Sequence, residues 1–414
     1  MLERSLRRRV LLSCFACSPR LGSEPGVGWH WLLVLSKRYD VTLITHSYFR
    51  AHIERELDSF GEVRPRVIYF EAPGFGMRTE RLLNSRTYYV WWQWRLGRWA
   101  KHTLDPRAFD LVHHLTWGSA RLPTFLGALG PPFVVGPLGG GDLTPLRLLK
   151  GIPWSERLFE GIRLLGVVTA RSDPLVRIAL GRARVVMCKT EATVAMLPAS
   201  VRSRAIVASE IGAPPAMTTS RSGPRRSSRA VRLLYAGRLI GLKGVHLAIG
   251  AVHHLRDRGV DATLTIAGEG RMRAYLEAEI ARFGLGSRIA LLGEISRERL
   301  LDLYGTSDVF VFPSLRDSSG NVVLEALSRG LPVVCLNLGG PPRYITPECG
   351  VAISTEGLSR VAAERALATE LEALARDPER LDQMSRHALT RSRGQSWESR
   401  VATAYDVIAS RLGW

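Results

Sequence analysis

Cysteine is scarce in this sequence: five residues in 414, an odd number, which argues against a disulfide framework. Cys14 and Cys17 form a CxxC pair, but no second CxxC or Cys/His cluster accompanies it. Small thiols at a buried strand end are therefore preferred over a redox or zinc site. Long apolar runs are also missing. Trp31–Leu35 and Leu164–Val168 stop well short of the roughly 18–20 residues a membrane span needs. Arg7–Arg9 before Val10–Leu12 look like the head of a signal peptide, yet the apolar run is short and no small-residue cleavage site follows. A cytoplasmic chain is expected. No DxD pair occurs, and no Walker loop, HExxH or Ser-His-Asp order stands out, so no metal site is expected.

Acidic residues are outnumbered, 38 against 57 Lys and Arg, for a net charge of +19. Nucleic acid, an anionic membrane surface and phosphorylated small molecules are the partners such a charge suggests. Clusters at Arg7–Arg9 and Arg221–Arg229 lie outside any nucleic-acid-binding motif, so no nucleic-acid partner is expected. Peripheral contact with anionic lipid fits better. In the aromatic stretch Tyr88–Trp99, Tyr88, Trp92, Arg95 and Trp99 follow helical spacing, which favours core packing over membrane contact.

What is present describes a globular protein: 46% hydrophobic and 23% charged residues in a chain too long for one ordinary core. Short apolar runs at Val10–Ser13, Val41–Thr45, Val67–Phe70, Leu111–Leu115, Phe133–Val135, Val185–Cys188 and Ala205–Ala208 are mostly spaced for crossover helices. One such helix is expected from about Val27 to Arg38. After the Pro/Ser/Arg stretch Pro214–Arg229, the alternation restarts with runs at Val231–Ala236, Thr263–Ala267, Ile289–Leu292, Val309–Phe312 and Pro332–Leu336. This alternation predicts two doubly wound parallel α/β domains. The expected division is 1–213 joined by a last helix over 396–414, a linker at 214–229, and 230–395.

Two blocks carry most of the chemistry. In the first, a strand ends at Ala236-Gly237-Arg238, with Lys243-Gly244 following. A guanidinium and an ammonium at a sheet's C-terminal edge can neutralise a diphosphate; two solvated loop cations are the plainer alternative. In the second, Pro313-Ser-Leu-Arg-Asp317-Ser-Ser319-Gly320-Asn321-Val322-Val-Leu-Glu325 reads as a strand end, a Ser/Gly loop and a helix. The N–H groups of Gly320, Asn321 and Val322 would form an anion site. Asp317 and Glu325 could accept hydrogen bonds from hydroxyls, or serve as a capping aspartate and a surface glutamate. Two glycine loops, Gly22–Gly28 and Gly136–Asp142, follow strands in the first half, and His113-His114 ends another.

Together these residues resemble glycosyltransferase family 4, retaining enzymes of the GT-B fold. The match runs through GSEPGVGW (Gly22–Trp29), DLVHHLT (Asp110–Thr116), GPLGGGD (Gly136–Asp142), AGR…KG (Ala236–Gly244) and AGEG (Ala267–Gly270). It continues through the Asp317–Glu325 block, NLGGP (Asn337–Pro341) and SWESR (Ser396–Arg400). The resemblance implies an α/β GT-B fold of two Rossmann-like, doubly wound domains facing a central cleft. It also implies metal-independent transfer, with retention, of a hexose-type sugar from a UDP- or GDP-linked donor. The acceptor would be a saccharide or lipid-linked saccharide of bacterial surface polysaccharide, and the nucleotide sugar would be a substrate, leaving no cofactor.

By the same resemblance Arg238 and Lys243 would hold the diphosphate, and Glu325 would match the second acid of the family's Glu-x7-Glu motif, near the ribose. Asp317 stands where that motif has its first glutamate. Gly237, Gly268, Glu269 and Ser319 would line the donor pocket. His114, with adjacent His113, stands for the family's HxH pair. The acceptor side would be formed by Gly26, Val27, Gly28, His113 and Gly140. A sugar-nucleotide epimerase of the same fold and a non-catalytic sugar-nucleotide-binding protein are the competing readings.

Overall fold

Strands that read as continuous apolar runs belong in sheets covered on both faces, and parallel sheets are the usual case. The computed structural model, which describes residues 7–73, 83, 85–169, 174–216 and 230–414, contains two all-parallel sheets. The first comprises β1 (Arg9–Cys14), β2 (Asp40–His46), β3 (Arg66–Phe70), β4 (Leu111–His114), β5 (Phe133–Leu138), β6 (Val185–Cys188) and β7 (Ala205–Val207). Its strand order is β3-β2-β1-β4-β5-β6-β7. The second comprises β8 (Val231–Ala236), β9 (Ala262–Ala267), β10 (Ile289–Gly293), β11 (Val309–Phe312), β12 (Val333–Leu336) and β13 (Gly350–Ile353), in the order β10-β9-β8-β11-β12-β13. In each, the order reverses beside the first strand, and that reversal opens a crevice at the strands' carboxyl ends.

The unit built on the first sheet comprises Met1–Gly141, Gly166–Ile211 and Trp397–Trp414. Its first crossover helix, α1 (Ser23–Arg38), begins at Ser23 and not at the expected Val27. Pro25 is tolerated in the first turn because its missing N–H would have no partner there, and Glu24 suits the positive end of the helix. Helix α2 (Arg86–Thr103) buries Tyr88, Tyr89, Trp92, Leu96 and Ala100. Phe15 meets Tyr89 and Trp92 edge-on at 5.3 and 5.1 Å, so Tyr88, Tyr89 and Trp92 are core, whereas Trp94 on the same helix is exposed. All five cysteines are buried and free, and burial pushes the thiols of Cys14 and Cys17 up.

The other unit comprises Asp142–Leu165 and Gly212–Ser396. The segment 142–165, counted by sequence with the first half, therefore belongs with the second. Leu148 and Leu149 are buried, His246 Nε2 donates to the Leu148 carbonyl (3.1 Å), and Tyr275 Oη donates to the Gly151 carbonyl (2.9 Å). The segment ends in α3, which spans Trp154–Thr169. The remaining helices of this unit are α4 (Val245–Asp257), α5 (Arg273–Arg282), α6 (Arg297–Thr306), α7 (Asn321–Ser328), α8 (Arg360–Arg376) and α9 (Pro378–Arg393). Residues 217–229 of the expected linker, with the Arg221–Arg229 cluster, lie outside the described residues.

The last helix, α10 (Trp397–Leu412), packs on α1 through buried Val401, Tyr405 and Ile408. Two ion pairs flank that contact, Lys37–Glu398 and Arg38–Asp406, both at 2.9 Å. Among the described residues no helix is long and apolar enough to cross a membrane.

Candidate active site

At the switch point of the second sheet, β8 and β11 lie side by side and send their following loops to the same place. The β8 loop needs glycine at its end: Gly244 has φ +65°, and a Cβ there would collide with the Pro313 carbonyl. That close approach brings Lys243 to Asp317. Lys243 Nζ lies 2.5 Å from Asp317 Oδ2 and 5.5 Å from the centre of the Phe312 ring. Asp317 Oδ1 accepts from the N–H groups of Ser319 and Gly320, each at 3.0 Å.

The structure thus corrects one expectation. The Gly320 N–H is engaged by Asp317 and is not open to an outside anion. At the start of α7, Asn321 and Val322 remain as first-turn residues, with no carbonyl one turn back for their N–H groups. Asn321 Oδ1 is buried without a hydrogen-bond partner among the described residues. Arg238 is exposed directly after Gly237, and among the described residues its guanidinium enters no ion pair.

Glu325, within α7, is half-buried. Tyr304 Oη from α6 approaches its Oε2 at 3.4 Å, and burial raises the carboxyl above its ordinary range. Beyond β9, Gly268 is bound to its neighbour strand's loop: a Cβ would strike the Gly237 carbonyl. Glu269 is turned to Arg273 on α5 in an ion pair, while its carbonyl accepts from the Leu239 N–H at 2.8 Å. The structure therefore joins Lys243, Asp317, Ser319 and Gly320 directly, with Arg238 and Asn321 on the same loops. Glu325 and Glu269 face neighbours of their own.

The sequence did not single out the two carboxylates that hold these loops. Glu156 Oε2, on the inward face of α3, accepts from the Gly241 N–H at 3.0 Å, and Arg271 pairs with the same carboxylate. Glu160 pairs with Arg316 at 3.2 Å, beside Asp317, and also accepts from Thr144 Oγ1 at 2.8 Å and Arg163 Nε at 3.2 Å. Burial and the nearby Arg163 bring the Arg316 guanidinium down to about 10. A helix bearing Glu, Glu and Arg at helical spacing looks solvated by pattern alone, so nothing in the sequence pointed inward.

The first unit has a polar cluster of its own. His113 Nε2 donates to the Gly136 carbonyl at 2.8 Å and Nδ1 accepts from Tyr405 Oη at 2.9 Å, which keeps the ring neutral. His114 is 2% exposed, with Tyr89 Oη 2.7 Å from Nε2 and Ser13 Oγ 3.1 Å from Nδ1. Burial lowers His113 to about 4 and His114 to about 3. Gly26, Val27 and Gly28 sit in the first turns of α1 and not in a loop. A Cβ on Gly28 would press on the Ala16 carbonyl (2.6 Å) and Cys17, and one on Gly26 would press on the Leu21 carbonyl (2.9 Å). Val27 is buried.

Gly140, at φ +118°, follows β5. Nearby stands a group the sequence reading passed over: Lys189, directly after β6, lies 2.7 Å from Glu210 and 3.7 Å from Glu24. Glu24 Oε2 also accepts from the Trp117 N–H at 3.0 Å. Ser23 and Trp117, which flank that carboxylate, are non-glycine residues at positive φ, +58° and +59°, the kind of strain that concentrates at functional sites. A lysine closing an apolar strand was the available signal. Among the described residues no group of three or more His, Cys, Asp and Glu is placed to hold a metal ion.

Residues 218–391 match the family model described as "Glycosyl transferases group 1". An uncharacterized glycosyltransferase of Methanocaldococcus jannaschii is 39% identical over 116 residues, which is 28% of this chain and 30% of that protein. Glycogen synthase of Mycobacterium tuberculosis is 32% identical over 196 residues, 47% of this chain and 44% of that protein. The chain thus spans less than half the length of these curated relatives. Over 98% of its length it superposes on sucrose-phosphate synthase from Thermosynechococcus elongatus, with a TM-score of 0.62, 16% identity and all of that chain covered. Anabaena HepE in complex with UDP and glucose follows at a TM-score of 0.59 and 16% identity, with 98% of this chain and 99% of that one covered. At such identities the likeness is one of fold, and the fold is GT-B.

Proposed function

We propose that the chain is a retaining, metal-independent hexosyltransferase. It would take a UDP- or GDP-linked sugar as donor substrate and act on a saccharide or lipid-linked saccharide acceptor. Its setting would be bacterial surface polysaccharide synthesis at the cytoplasmic face of an anionic membrane. The observation that carries this reading is the meeting of Lys243 and Asp317 at the second sheet's switch point, with exposed Arg238 on the same loop. Switch points of open α/β sheets are where nucleotides bind, and residues 218–391 match glycosyl transferases group 1. HepE, of the same fold, holds UDP and glucose.

In this reading Arg238, Lys243 and the first-turn N–H groups of Asn321 and Val322 take the diphosphate. They act most strongly as the leaving group gains charge. Lys243 would exchange part of its pairing with Asp317 for phosphate oxygens. Asp317 then orients Lys243 and the α7 loop as well as reaching toward the sugar. Glu325, ionised by hydrogen bonds from ribose hydroxyls, would offset the burial that raises it. Gly237, Gly268 and Ser319 let the donor approach backbone, with Glu269 at the rim. In the first unit, Gly26–Gly28, Gly140 and His113 shape the acceptor side. His114 serves there as a neutral hydrogen-bonding group, because both its nitrogens are engaged.

A panel of UDP- and GDP-sugars should raise the melting temperature of the wild type, since a ligand that binds only the folded state stabilises it by mass action. Arg238→Ala and Lys243→Ala should abolish that rise and cut transfer by roughly 10²–10³-fold, the usual cost of losing one charge-stabilising group. Unchanged transfer in both variants would sink the donor site. Turnover of the nucleotide sugar without acceptor would point to an epimerase instead.

A further inference from the structure

Helix α3 is built inside out. Its carboxylates Glu156 and Glu160 are each 3% exposed, while Trp154, Ile162 and Leu165 are 73, 65 and 67% exposed, with Leu158 and Phe159 also bare. Trp154, Leu158, Ile162 and Leu165 are spaced by four, four and three residues, which places them in one outward stripe. An exposed apolar stripe of this kind marks an interaction surface.

The orientation is not free to reverse. Glu156 is tied to Gly241 and Arg271, and Glu160 to Thr144, Arg163 and Arg316. Rolling the helix to bury the stripe would break the Glu156–Arg271 and Glu160–Arg316 pairs and strand both buried carboxylates.

Charge selects the occupant. Within 142–165 the acids are Asp142, Glu156 and Glu160, all buried, whereas Arg147, Lys150 and Arg157 are exposed. The outward surface of this segment is therefore apolar and cationic without a carboxylate. A second copy docking through the same face would set these cations against each other. Anionic lipid satisfies both parts, taking the apolar side chains among its acyl chains and the cations at its phosphates, with Trp154 at the boundary.

We infer that α3 is the element through which the chain lies on an anionic membrane. The stripe enters the headgroup boundary while the opposite, acidic face grips the loops of Lys243 and Asp317. This rests on the membrane-surface part of the reading above and not on the transfer reaction.

The test is co-sedimentation of the full chain with vesicles of phosphatidylglycerol and phosphatidylcholine in equal parts, and with phosphatidylcholine alone. Wild type should sediment with the anionic vesicles, more weakly at high salt, and poorly with the neutral ones. The double variant Leu158→Ser/Ile162→Ser should lose roughly tenfold or more in partitioning. Lys150→Glu/Arg157→Glu should lose several-fold, about what two surface cations contribute. Both should melt with the wild type, since all four side chains are exposed.

Equal sedimentation of the Leu158/Ile162 variant and wild type would overturn the inference. So would a wild type that ignores both vesicles, whether monomeric or a dimer that the serines dissolve. Vesicle binding that depends on the stripe in a chain with no sugar-nucleotide affinity would sink the reaction and leave the docking helix standing.

Discussion

Asp317 engages the N–H groups of Ser319 and Gly320 with one carboxylate oxygen and Lys243 with the other, so two substitutions should separate the two jobs. Asparagine keeps an acceptor for the loop and loses the ion pair. Asp317→Asn should leave the Lys243 ammonium, on a side chain only 15% exposed, without its partner. That should cost about 3 kcal/mol, as breaking a buried pair from one side does, while transfer falls about tenfold, the size of one charge-assisted hydrogen bond. Alanine removes both, and Asp317→Ala should in addition cost about 1 kcal/mol of stability, as the loss of a helix cap does. Chemical denaturation read alongside transfer rate distinguishes them; equal melting of the two variants would deny the capping role. The sequence pointed to Asp317 and Lys243 individually, because each follows a strand. It could not show that they pair, since only the close approach of Gly244 to Pro313 sets that distance.

Three histidines make a second argument at this scale. His113, His114 and His246 are buried and lowered to about 4, 3 and 3. A lowered folded-state value means the unfolded chain binds the proton first. Stability is therefore full above about pH 6.5 and is lost as pH falls below it toward the folded values. Each histidine contributes up to about 1.4 kcal/mol per pH unit in that window. Melting temperature measured from pH 7.5 to pH 5 should fall, and His246→Asn should flatten the slope by about one proton's worth. Transfer should show no titration of His114 across the same range. A rate profile with a midpoint near 6.5 that vanishes in His114→Gln would contradict the neutral ring.

Among the elements, α3 was the hardest to read and carries the most tension. Its sequence alternates acid and apolar residues at helical spacing, a pattern that ordinarily sends the acids to water. Here the acids meet Arg271, Arg316 and the Gly241 N–H, partners contributed by loops distant in sequence. Glu160→Ala should strand Arg316, whose side chain is mostly buried, and destabilise the protein by about 3 kcal/mol, the cost of breaking a buried pair from one side. Denaturant midpoints would reveal it; a loss below about 0.5 kcal/mol would place the pair among surface salt bridges. The strands, by contrast, were legible because both sheets are parallel and bury their inner strands as continuous apolar runs, while the partly buried edge strands β3, β7 and β10 are still mostly apolar. Only β13 (Gly-Val-Ala-Ile) escaped, being too short and too small-sided to stand out from its loops.

For the whole molecule, the chain's course is itself a source of stability. After completing the second sheet's helices it ends in α10, whose residues cluster with the first unit. There Tyr405 lies against Trp31 and Tyr39, with ring centroids at 6.2 and 5.2 Å, and gives its hydroxyl to His113. A chain ending at Ser396 would uncover Trp31, which is fully buried, and leave His113 Nδ1 without its donor in an apolar surround. The apolar loss alone, from Val401, Tyr405 and Ile408, is about 4.5–9 kcal/mol at 1.5–3 kcal/mol for each buried side chain, comparable with a whole domain's stability. The truncated chain should therefore lose the folded first unit, while the second sheet, which draws no strand from that helix, keeps its own hydrogen-exchange protection. Exchange mapped along the chain would show protection vanishing from β1, β2 and β4 and persisting in β8, β9 and β11. Loss of protection from both sheets together would mean instead that the two units unfold as one.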